Sequence, residues 1–157
     1  MALAALVTWL ITASAGLYLL AIWLIEYDRD FQSASATRLP VPVISAHVLL
    51  ALGGLGVWAL YVITDTFKLA WVAVAVLIVV ALLGLTMAAR WVGVYRTHSA
   101  PSAVAVPTGA GASSSSRIPV PPERHFPLPV VIGHGVLAVA TILLVLLSAL
   151  HVFASGS

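Results

Sequence analysis

Four long apolar blocks, Ala2 to Ile25, Val41 to Ile63, Leu69 to Ala89 and about Leu128 to Ala154, interrupt this chain of 157 residues, and none contains an internal Asp, Glu, Lys or Arg. Each is near the roughly 20 residues that a helix needs to cross about 30 Å of hydrocarbon. Lipid offers backbone groups no hydrogen-bond partners, so such segments must be helices or barrel strands, and blocks this long without strict alternation are helices. The chain is therefore expected to be all-α, a single four-transmembrane-helix bundle with helices over about 2–26, 41–64, 67–95 and 128–152. Composition agrees: 62% of residues are apolar and 8% charged, against about 45–50% and about 25% in soluble domains.

The connections carry the orientation. The first block has no basic residues ahead of it and is longer than the usual apolar run of a cleavable signal, so it is expected to be a retained span. The turn from Thr64 to Lys68 is short enough to make the second and third helices antiparallel neighbours. Arg29 and Arg38 fall in the first connection, Arg90, Arg96, Arg117 and Arg124 in or beside the third, and only Lys68 in the second. Because Lys and Arg are retained in cytoplasmic loops, the first and third connections are expected inside and both termini outside, in a multi-pass protein of a bacterial plasma membrane. The third connection, rich in Ser, Pro, Ala and Gly, reads as a flexible cytoplasmic loop over about 98–122. Seven basic residues, so scattered, do not make a phosphate-tracking surface, and nucleic acid is excluded as a partner. Cys is absent, which removes disulfides, thiolate metal sites and covalent haem attachment.

A search for self-similarity finds two matches. LPVPVISAHVLLA at the second span recurs as FPLPVVIGHGVLA at the fourth, 87 residues later, aligning Pro40, Pro42 and His47 with Pro127, Pro129 and His134. The first and third spans match at an offset of 68 residues, aligning Ala13, Gly16, Trp23 and Tyr27 with Ala81, Gly84, Trp91 and Tyr95. The shared residues fall on one face of each helix, as a common packing interface requires. A duplicated two-helix hairpin is expected, with the parallel-repeat arrangement about an axis along the membrane normal.

That arrangement puts His47 and His134 on parallel helices at equal depth. An ionisable residue within a span is expensive and is a functional-site candidate by default. The sharpest reading is axial ligation of one b-type haem between the second and fourth helices, its iron (the only metal implied) held by the two imidazoles. Gly53, Gly54, Gly56, Gly133 and Gly135 are expected to leave room for the macrocycle, and Arg38, Arg90 and Arg124 to pair with its propionates. The plainer alternative leaves both imidazoles neutral and bonded to each other, to Ser45 or Thr141, or to a backbone carbonyl. Zinc is disfavoured, since two His without a carboxylate half-fill a tetrahedral site. Of the other histidines, His98 and His125 lie in polar connections, and His151 near the outer end of the fourth helix has no facing His on the second. Trp9, Trp23, Tyr27, Tyr61, Trp71, Trp91 and Tyr95 are read as interfacial belt anchors.

Four helices with His47 on the second and His134 on the fourth resemble the b-haem-binding bundles of membrane cytochromes and of each half of haem A synthase. The resemblance covers those two residues and the helix count, and what it implies is a haem site. The segment Glu123 to Gly135, ERHFP followed by HG, is also similar to a family of bacterial four-helix integral membrane proteins from which no activity carries over. No nucleophile–base set, phosphate loop or paired carboxylate marks a hydrolase or transferase. Two readings stay open: a haem protein for electron transfer or haem handling, and a non-catalytic scaffold or accessory subunit of a membrane complex or homo-oligomer, with a structural His pair.

Overall fold

The computed structural model describes residues 1–29, 39–99 and 125–155. The described residues form four helices, α1 (Ala2–Arg29), α2 (Val41–Thr64), α3 (Phe67–Ser99) and α4 (Leu128–Ser155). Each contains a segment long and apolar enough to cross a membrane: Ala2–Glu26, Val41–Thr64, Phe67–Gly93 and Leu128–His151. Most of the loop expected at about 98–122 lies outside the described residues, and α3 continues through Ser99.

Prolines set two of the helix starts. Pro40 holds extended backbone (φ −66°, ψ 122°) and its carbonyl accepts from the N–H groups of Val43 (2.9 Å) and Ile44 (3.2 Å). Pro127 does the same for Val130 (2.9 Å) and Val131 (3.1 Å). Proline suits these positions because its missing N–H is one that the first helical turn leaves unpaired anyway. Between α2 and α3 the chain reverses at Asp65, whose left-handed backbone (φ 50°, ψ 30°) caps α2 by donating its N–H to the Tyr61 carbonyl at 2.8 Å. Asp is among the few non-glycine residues that adopt this conformation readily.

The helices follow one another around the bundle. α2 packs most extensively on α3 and α1 on α4, the α3/α4 and α1/α2 contacts are lighter, and α1/α3 and α2/α4 stand diagonally opposed. Leu3, Leu17, Leu49, Ile63, Leu82, Leu85, Ile132 and Val136 point outward, making the apolar exterior that a bilayer would cover.

The interior is packed in two separate clusters. One, at the Met1 end, joins Ala5 and Trp9 of α1, Trp58 and Tyr61 of α2, Ala70, Ala73, Val74 and Leu77 of α3, and Val145 and Ala149 of α4. The other, at the opposite end, is small: Trp23, Leu39 and Ile44, with Leu20, Met87 and Phe126 against them. The tryptophans thus differ from the expected belt. Trp9, Trp23, Trp58 and Trp91 are buried, as is Tyr61, and only Trp71 of the five tryptophans is exposed. The reason is local. Trp58 has its indole N–H satisfied inside the protein, donating to the Ala2 carbonyl at 3.2 Å, and Trp9 fills the notch left by the missing side chain of Gly54. A tryptophan with a partner for its one donor needs no headgroup.

Candidate functional site

Between the two clusters the interior changes character. No residue is buried on α1 between Thr12 and Trp23, on α2 between Ile44 and Gly54, on α3 between Val80 and Trp91, or on α4 ahead of Thr141. That interval is on the order of ten residues, or about 15 Å of each helix. His47 and His134 lie within it. Their rings face each other across the α2/α4 diagonal with centroids 6.4 Å apart and planes inclined at 60°. Both histidines are partly buried.

Each imidazole is held in the same way. His47 Nδ1 lies 3.0 Å from the Val80 carbonyl of α3, and His134 Nδ1 lies 3.0 Å from the Thr12 carbonyl of α1. A carbonyl only accepts, so in both rings Nδ1 carries the proton and Nε2 keeps its lone pair. No hydrogen bond reaches either Nε2 among the described residues. Of the partners expected under the plainer alternative, a backbone carbonyl is found. Thr141 instead meets Thr12, Oγ1 to Oγ1 at 3.2 Å, and donates to the Leu137 carbonyl at 2.8 Å.

Glycines come into the site from α1 and α3. A Cβ built on Gly16 would lie 3.0 Å from His134 Cε1, and one on Gly84 would lie 3.1 Å from His47 Cε1. The glycines of α2 and α4 do not play the part expected of them. On the His47 face of α2 only Gly54 is near, and Trp9 fills its notch, with side-chain atoms 3.0 and 3.1 Å from the added Cβ. Gly53, Gly56, Gly133 and Gly135 flank or oppose the histidine faces of their helices. The relation of Gly16 and Gly84 to the histidines was missed from the sequence. Their 68-residue correspondence was visible, but not which helix each faces.

The two imidazoles have the donor chemistry of metal ligands. A neutral imidazole with Nδ1–H bound to a carbonyl and Nε2 bare is the usual state of a metal-ligating histidine. Metal–nitrogen bonds of about 2 Å, plus about 1 Å from each nitrogen to its ring centre, put the centres of two such ligands about 6 Å apart. The observed centroid separation is of that order. Among the described residues no third His, Cys, Asp or Glu joins the pair. A metal here must therefore bring its other ligands with it, as a porphyrin does.

The predicted propionate partners divide. Arg38 and Arg124 lie outside the described residues, and Arg90 is exposed on α3, about 9 Å of helical rise beyond Gly84. His125 is surface-exposed and approaches Glu26, Nδ1 to Oε2 at 3.8 Å. His151 is exposed near the far end of α4, away from the pair. Comparison of the chain with family models, with curated proteins and with solved structures returns no match.

Proposed function

We propose that this chain is a multi-pass protein of a bacterial plasma membrane that binds one b-type haem through His47 and His134, for one-electron transfer or haem handling on the cytoplasmic side. The observation that carries the reading is the pair itself: two imidazoles inside spanning helices, tautomer fixed by backbone carbonyls, ring centres 6.4 Å apart, and neither Nε2 hydrogen-bonded among the described residues. Their place inside two spanning helices supports it, since an ionisable residue within a span is costly and is kept for a purpose. When bound, the haem supplies a reversible ferric/ferrous couple. His47 and His134 would hold the iron, the Trp23 and Trp9 clusters would exclude water on either side of the pair, and Arg38, Arg90 and Arg124 would offer guanidinium groups to the propionates.

The reading includes a duplicated hairpin with both termini outside. Six of seven basic residues in the first and third connections support the orientation. Three observations support the duplication. The buried residues Ala5, Trp9, Thr12 and Trp23 of α1 recur 68 residues later as buried Ala73, Leu77, Val80 and Trp91. Buried Gly54, Trp58 and Tyr61 of α2 recur 87 residues later as buried Thr141, Val145 and Ser148. The two histidine bonds obey both offsets at once, His47 with Val80 against His134 with Thr12.

The reduced-minus-oxidised absorption spectrum of detergent-purified protein, expressed with ample haem supply, tests the proposal. A b-type spectrum is expected. A colourless protein overturns it and leaves the second reading, a non-catalytic membrane scaffold or accessory subunit, which the satisfied Nδ1–H groups also suit. In that case His47→Ala and His134→Ala lower stability or co-purification of a partner without any spectral effect.

A further inference from the structure

We infer that Gly16 and Gly84 are positioning residues that fix the tautomer of the two histidines, each by uncovering a backbone carbonyl four residues earlier on its own helix. The carbonyls that hold the imidazoles are those of Thr12 and Val80, which precede Gly16 and Gly84 by one helical turn. In an α-helix the carbonyl of residue i−4 accepts from the N–H of residue i. The side chain at residue i leans back over that same turn and covers the carbonyl's remaining lone pair. Glycine removes the cover. The second lone pair is then free for a donor from another helix, and in both places it receives a histidine Nδ1–H.

The clearances show that the fit is tight. An added methyl would stand 3.0 Å from His134 Cε1 and 3.5 Å from Nδ1 at Gly16, and 3.1 Å and 3.6 Å from the same atoms of His47 at Gly84. The ring must then move by a few tenths of an ångström, away from the carbonyl it bonds. Each glycine acts on the histidine of the opposite hairpin, so the two halves of the site lock each other. The consequence is a bare Nε2 on both rings, on the far side of the ring from the carbonyl that each Nδ1–H meets. That this serves an iron rests on the haem reading, but the tautomer itself does not.

The test uses full-length protein in detergent or bilayer, labelled with 15N-histidine and prepared first without haem and then loaded. In the haem-free wild type, His47 and His134 are expected to show a protonated Nδ1 and a bare Nε2. Gly16→Ala should shift the His134 nitrogens alone, and Gly84→Ala the His47 nitrogens alone. Gly53→Ala and Gly56→Ala, where an added Cβ meets nothing within 4 Å, should shift neither. In the loaded protein, loss of this support should weaken haem retention by about tenfold or more in each site variant. Wild-type rings protonated on Nε2 overturn the inference whatever the variants do, as do glycine variants that keep wild-type nitrogen shifts and haem retention. A protein that binds no haem while its tautomers still follow the glycines sinks the haem reading and sustains this one.

Discussion

The two halves of the bundle interior use the same helices to opposite ends. Toward Met1, Trp9, Trp58, Tyr61, Leu77 and Val145 interlock and leave little space. Around His47 and His134, one to two turns away, no side chain of any helix is buried. Between helices of spanning length, association depends on close packing and on satisfied polar groups, so a stretch of partly buried side chains that holds two imidazoles is the feature to explain. The packed half is held by buried aromatic and aliphatic side chains, and the other by two imidazoles and the carbonyls that hold them.

The contrast can be broken hardest at the histidines. Replacing His47 or His134 by Ala should abolish the b-type spectrum while the purified yield of folded protein, followed by size-exclusion chromatography, stays near wild type. Next in size, Trp58→Ala should cost about 3 kcal/mol or more, as large-to-small changes at fully buried aromatics do, and lower the midpoint of thermal unfolding in detergent. The bound-haem spectrum of that variant should keep its wild-type shape at low temperature, because Trp58 belongs to the packed half. Filling the Gly54 notch with Val should cost about 1–3 kcal/mol by overpacking Trp9 and Val76, measured by the same unfolding midpoint. Smallest of all, Thr12→Val removes the hydroxyl contact to Thr141 but leaves the Thr12 carbonyl on His134. A loss of about 0.6 kcal/mol, the scale of interhelical hydrogen bonds in membranes, is expected with an unchanged spectrum. A large spectral effect from Trp58→Ala would merge the two halves that the structure separates.

The sequence made the four helices and the histidine pair legible because both depend on local rules: an unbroken apolar run of spanning length, and a titratable residue repeated inside it. It also showed Gly16 and Gly84 as corresponding residues. What stayed hidden was the partner of each, since the α1/α4 pairing joins segments more than a hundred residues apart, with no short turn to declare it. The tryptophans misled for a related reason. Trp9 lies as near a helix end as a belt residue does, and only the Gly54 notch, on another helix, turns it inward.

Low-temperature electron paramagnetic resonance of the ferric protein tests the central claim most directly, because it reads the ligands of the iron rather than its mere presence. The account predicts a low-spin haem signal from two axial imidazoles in the wild type, lost in both His47→Ala and His134→Ala. Absence of any haem iron signal after expression with ample haem, or a low-spin signal that survives both substitutions, would contradict it.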